Sequence, residues 1–206
     1  MADFLESYVN LNGYSSSKGF LGFVEGVEDN RLEVSRQIIQ QLTDWIYSDV
    51  DAFSIATSLH FPKSRRLLET FYGADNIDYQ ELLVFEEHGL VFSVEADGMF
   101  EELQVGEADP SELWCRSFSH LQVSHFERCI IERLLFAQMN MGGLDGHLFI
   151  GSIDHGMVLY PHDDVGFGFI VMTDSSAHQR LDGFIKEAVS GGNFRFVSAA
   201  RIPGLR

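Results

Sequence analysis

The stretch LDGHLFIGSIDHGMVLYPHDDVGFGFIVM, residues 144–172, constrains the fold of this chain more than any other. It holds three apolar runs, at 147–150, 157–160 and 167–172, separated by short segments of Gly, Asp, His and Ser. Each run is too short to close three helical turns, and the intervening residues are those that tolerate tight reversals. Three adjacent strands joined by tight turns are expected, and such an arrangement must bury its apolar face against other elements.

The helical spacing needed to cover it occurs on both sides. From Arg31 to Tyr47, Val34, Ile38, Leu42, Trp45 and Ile46 recur at helical intervals, with Asp29 or Asn30 placed as cap. Pro62 is read as opening a shorter helix through Leu67, Leu68 and Phe71, stopped at Gly73. Ser124-His125-Phe126-Glu127 fits a capping box before a helix whose Ile130, Ile131, Leu134, Leu135 and Ala137 cover more than one stripe, so that helix should be central. Asp174 is placed to cap a last helix carrying Ala177, Leu181, Phe184, Ile185 and Ala188. Strands are expected at 20–27 and 194–199, and Asp109-Pro110 is read as a further helix start.

Between the second helix and Pro110 the run QELLVFEEHGLVFSVEADGMFEELQV is read as a second meander, with turns at Glu87-His88-Gly89 and Ala96-Asp97-Gly98. It parallels the first: EHGLVF matches DHGMVL at 154–159, and Asp97-Gly98-Met99 matches Asp164-Val165-Gly166-Phe167 with one insertion. Duplication of a helix plus three-strand unit would leave this pattern, and so would convergence of glycine hairpins. The expected class is α+β, antiparallel β-meanders packed against helices. Residues 1–60 form an N-terminal strand and helix segment packed on a 61–206 domain, or the whole is one domain.

Formal net charge is −17, and between Leu67 and Cys115 there is no Lys or Arg at all. Such a surface repels nucleic-acid phosphates and anionic lipid, so neither is an expected partner. A protein with a basic surface is the complementary one, although acidity also serves solubility. Two cysteines do not make a disulfide framework, and MADFLESYVNLNG has no secretion-signal pattern, so a cytoplasmic location is expected. No apolar run has the length of a membrane span.

Two clusters look chemical. His162-Asp163-Asp164 offers an imidazole and two carboxylates, yet adjacent aspartates in an extended segment point to opposite faces, and Asp-Asp-Val-Gly is good turn chemistry. Gly166 and Gly168 would then mark the turn exit and a bulge or close backbone approach. Cys115, His120, His125 and Cys129 could supply a tetrahedral site, but the close Cys-x-x-Cys chelate is missing. No nucleophile elbow and no phosphate-cradling loop is present. No metal, cofactor or catalytic residue is therefore assigned. Glu86, Glu87, Glu95, Glu101 and Glu102 are the candidates for gripping a partner's Arg and Lys, or else solvated strand ends. Removing the charges of Glu86, Glu87, Glu101 and Glu102 is expected to leave the fold intact.

In element order, the helix SRRLLETFYG, the acidic meander, the helix FERCIIERLLFAQMN, the strands DGHLFIGSIDHGMVLYPHDD and the helix HQRLDGFIKEAV resemble class I chaperones of bacterial type III secretion and the similarly folded YbjN-like regulators. The resemblance spans about two-thirds of the chain and rests on order, acidity and apolar patterning. It implies a non-enzymatic homodimer holding an extended effector segment, with Ile130, Ile131, Leu134 and Leu135 at the dimer contact. Two departures stand against it: the first sixty residues have no counterpart, and the run at 167–172 adds a strand. The rivals are an immunity protein occluding a basic toxin, and a metal-dependent hydrolase using the His162-Asp163-Asp164 region.

Overall fold

A computed structural model describes residues 5, 7–27, 30–73, 79–95, 114–142, 144–162, 165–172 and 175–201. The protein is α+β, with antiparallel strands packed against helices. In order the elements are β1 Phe20–Gly26, α1 Arg31–Tyr47, β2 Ser54–Thr57, β3 His60–Pro62, α2 Arg65–Tyr72, α3 Tyr79–Glu87, β4 Val91–Glu95, β5 Trp114–Phe118, β6 Leu121–Gln122, α4 Arg128–Asn140, β7 Leu148–Ser152, β8 Met157–His162, β9 Gly166–Val171, α5 Ser175–Ser190 and β10 Phe194–Ser198. They divide into two compact units. Unit 1 is Met1–Ala56, Leu121–Met139 and Phe149–Arg206, and unit 2 is Thr57–His120 with Asn140–Leu148.

Unit 1 is built on a seven-stranded sheet in the order β10-β1-β9-β8-β7-β2-β6. The meander expected at 144–172 is present as β7-β8-β9, paired antiparallel from Ser152↔Met157 to His162↔Gly166. Every residue of β7 and β9 is buried, which is why neither alternates in polarity. On one face Phe169 meets Phe184 of α5 at 6.1 Å and Phe196 at 6.5 Å, while Trp45 of α1 reaches Phe184 at 5.2 Å. On the other, Val9, Phe20, Phe149, Val158, Tyr160 and Ile170 form a second buried cluster closed by Leu5 and Tyr14. Both faces are thus dry.

Two glycines of β9 are spatial necessities. A Cβ at Gly166 would stand 1.7 Å from the Val24 carbonyl oxygen, and one at Gly168 would stand 2.1 Å from the Tyr160 ring. The approach at Gly168 is thus by the Tyr160 side chain and not by a neighbouring backbone as expected, and the bulge falls on β1, between Phe20 and Gly22.

Helix α4 is central, as its apolar pattern implies. Arg31 Nη2 donates to the Met139 carbonyl at 2.5 Å and Arg128 pairs with Asp44, so α4 runs antiparallel along α1. Thr43 Oγ1 completes the seam by donating to Glu132 Oε1 at 2.8 Å. Ile130 is 4% exposed, and Ile131, Leu134 and Leu135 are 0%. The chain's own core takes up all four, which leaves none of these side chains at the surface for a second copy. The helix begins at Arg128, and Val123–His125 forms a 3-10 turn before it, so the segment read as a capping box starts in that turn and stops at Glu127, short of the helix.

Unit 2 holds a three-stranded sheet in the order β3-β5-β4. Phe118 packs against Phe61 at 6.1 Å and Phe85 of α3 at 5.3 Å, with Leu67, Leu68, Leu82 and Leu90 buried. Two expectations are corrected here. The run YQELLVFEE is helix α3, not a strand: Leu82 and Phe85, three apart, are its buried residues, and its turn signal Glu87-His88-Gly89 is a helix stop with Gly89 at φ 70°. Pro62 ends β3 rather than opening α2, which is capped instead by Ser64, whose Oγ accepts from the Leu67 amide. Gly73, at φ 79°, stops α2 as expected. The likeness between the two glycine turns does not extend to what precedes them, since α3 leads into Gly89 and β7 into Gly156. Asp97, Gly98, Met99, Asp109, Pro110 and Asp174 lie outside the described residues.

Candidate functional site

The acidic stretch is concentrated in unit 2. Lys63, Arg65, Arg66 and Arg116 are its only Lys and Arg residues, set against fourteen carboxylates. The consequence is a local net charge of about −10 before any His is counted. Arg65 and Arg116 are tied to carboxylates of the same unit. Arg65 Nε meets Glu69 Oε1 at 2.6 Å, one helical turn on. Arg116 Nε and Nη2 reach Glu86 Oε2 at 2.9 Å and 2.7 Å, and its Nη1 donates to the Lys63 carbonyl at 3.3 Å.

That geometry separates two glutamates read alike in the sequence. Arg116 is only 8% exposed at its side chain while Glu86 is 43% exposed, so Glu86 supplies the counter-charge of a nearly buried guanidinium. Its role is structural, which corrects the expectation that Glu86 can lose its charge without cost to the fold. Glu86→Gln should destabilise the protein by about 1–3 kcal/mol, whereas Glu87→Gln should shift it by less than about 0.5 kcal/mol. Chemical denaturation of the two variants checks the contrast, and equal effects would remove the structural assignment.

Glu87 is exposed at the end of α3, with no ion-pair partner among the described residues. Residues 86–89 are all exposed, and Phe92 on strand β4, which follows in the chain, is 50% exposed. Glu95 ends β4 opposite Trp114, itself 39% exposed. The side chain of Glu95, and the whole of Glu101 and Glu102, lie outside the described residues.

The two clusters that looked chemical are placed as follows. The His162 ring stacks on Phe23 with centroids 4.5 Å apart and an interplanar angle of 8°. His162 and Gly166 are paired across β8 and β9, so the chain reverses between them, with Val165 at φ 59°. Asp163 and Asp164 lie outside the described residues. Cys115 is buried, and burial followed by the charge of Asp145 pushes its thiol up to about 11, far from a reactive thiolate. His120 Nδ1 accepts from the Thr57 amide, His125 sits in the 3-10 turn, and Cys129 is exposed beside Glu127. Among the described residues no three His, Cys, Asp or Glu side chains converge as a cation site.

A third cluster carries no signal in the sequence, because Asp49 stands over a hundred positions from its other two members. Asp49 Oδ2 accepts from His155 Nε2 at 2.8 Å and from Arg180 Nη2 at 2.9 Å. Asp49 follows α1, His155 lies in the β7–β8 turn and Arg180 is on α5, so one carboxylate ties three elements of unit 1. The His155 hydrogen bond, with the Arg180 charge beside it, holds the Asp49 carboxyl below its ordinary range despite an opposing contribution from desolvation. A carboxyl depressed in the folded state contributes stability above its unfolded value and loses it as pH falls through the folded one. The stability gap between the wild type and Asp49→Asn should therefore be open at neutral pH and close in acid. Thermal midpoints measured from neutral pH to about pH 2 test this, and a gap that widens in acid would contradict it.

No family model, curated protein or solved structure matches the chain.

Proposed function

We propose that this protein is a binding module that holds a basic segment of another polypeptide against its acidic unit and performs no covalent chemistry. The observation that carries the proposal is an exposed carboxylate with no ion-pair partner among the described residues, Glu87 at the end of α3, followed along the chain by an exposed aromatic ring, Phe92 of β4. Charged rims steer encounter and select partners, while a half-exposed aromatic supplies the apolar area that anchors them. The excess of carboxylates in the sequence of unit 2 adds a longer-range attraction for cations. Glu86 contributes to the field but is held by Arg116, so Glu87 is the freer contact.

No helix among the described residues is long and apolar enough to cross a membrane, which fits a partner met in water. A photo-crosslinking residue placed at Phe92 in the producing cells should capture a basic protein. The same residue at Leu11, an exposed apolar position of unit 1, should not capture it. Capture of the same set of proteins at both positions would overturn the proposal.

A further inference from the structure

We infer that the basic segment held by unit 2, on the reading proposed above, binds as an extended strand added to the outer edge of β4. Among the described residues β4 is a terminal strand of the three-stranded sheet, so alternate N–H and C=O groups along it face away from β5. Its register with β5 runs unbroken from Val91↔Phe118 to Glu95↔Trp114, and VFSVE contains neither Pro nor Lys to blunt the edge. Side chains alternate between the two faces of a sheet. Val91 and Ser93 lie opposite Phe118 and Arg116, the residues that α3 reaches through Phe85 and Glu86, so they share the face of α3. Phe92 and Val94 therefore point to the other face. Ser93 is exposed on one side and Phe92 is 50% exposed on the other, which leaves β4 open on both.

Glu87 and Phe92 thus stand on opposite sides of the sheet, one with the helix and the other away from it. An extended chain at the edge alternates in the same way and serves both, with apolar side chains beside Phe92 and Val94 and basic ones toward α3. Main-chain hydrogen bonds along the edge supply affinity, and the alternation of side chains supplies selectivity. The charge that selects such a chain is local. Helix α3 and strand β4 carry Glu81, Glu86, Glu87 and Glu95 and no Lys or Arg. Arg116, which faces them from β5, is 8% exposed at its side chain and held by Glu86. Lys63, Arg65 and Arg66 follow β3, the strand at the opposite end of this sheet. Glu95, the one charge of β4, repels the same edge of a second copy and suits a strand that brings Lys or Arg.

The test uses the full-length protein and a nine-residue synthetic peptide alternating lysine with valine. A second peptide is N-methylated at every residue, which keeps the charge and the side chains but removes the main-chain donors. Fluorescence anisotropy measures binding, and hydrogen exchange locates it. Saturable binding that slows exchange at 91–95, and that weakens about tenfold or more on methylation and in Ser93→Lys but not in Ser93→Glu, supports the proposal. Ser93 is exposed, and thermal midpoints confirm that both variants are folded. No saturable binding, or affinity unchanged in Ser93→Lys, would overturn it. Equal affinity for the two peptides would do the same, by showing a polycation held through charge alone. Amides of 91–95 all protected before any peptide is added would show an edge already covered, which also overturns it. Each of these failures leaves the parent reading to be decided separately, by the crosslink at Phe92.

Discussion

Gly166→Ala should cost about 4 kcal/mol or more, a large share of the 5–15 kcal/mol that stabilises a typical domain. The added Cβ would meet the Val24 carbonyl oxygen at 1.7 Å and its carbon at 2.7 Å, both backbone atoms that cannot rotate aside. Relief requires β1 to move away from β9. Since β1 lies between β9 and β10 in the sheet, that movement strains both ladders and the packing of α5 across them. Urea unfolding measures the loss. A shift under about 1 kcal/mol would show that the β1–β9 contact is not the tight approach described.

Leu134→Ala should cost about 2–5 kcal/mol, through lost burial and the cavity left behind. Leu134 is 0% exposed within the single chain, between a helix tied to α1 and the core beneath it. The cost should be the same at every protein concentration, because no second copy is needed to bury the side chain. A gap between variant and wild type that grows with dilution or concentration would place Leu134 at a subunit contact instead. That outcome would restore the dimer role implied by the resemblance to secretion chaperones.

The parts of the fold legible from the sequence were those specified locally. Helix α1 matches its spacing from Arg31 to Tyr47, and β8 and β9 fall within two residues of the apolar runs that announced them. Three kinds of element were misread or missed. Helix α3 was read as strand because YQELLVFEE has a continuous apolar centre, and such runs fit either state until packing decides. Strands β2, β3 and β6 have four, three and two residues, and only their pairing with distant segments makes them strands. Unit 2 is assembled from two separate stretches of chain, which no composition shift marks.

At the candidate site the acidity was plain, but its division was not. Glu86 and Glu87 are indistinguishable as neighbours in a sequence, and only the reach of Arg116, thirty positions away, assigns one to structure and leaves the other in solvent. The Asp49, His155 and Arg180 cluster was invisible for the same reason, since it exists only where three elements of unit 1 come together.

Binding of the basic protein recovered at position 92 tests the central claim most directly, with wild type compared against Glu87→Gln combined with Phe92→Ala, two exposed positions whose loss spares the fold. Association should slow steeply as salt rises, and the double variant should bind about tenfold or more weakly while unfolding at the wild-type midpoint. Equal affinity for both proteins, insensitive to salt, would contradict the account.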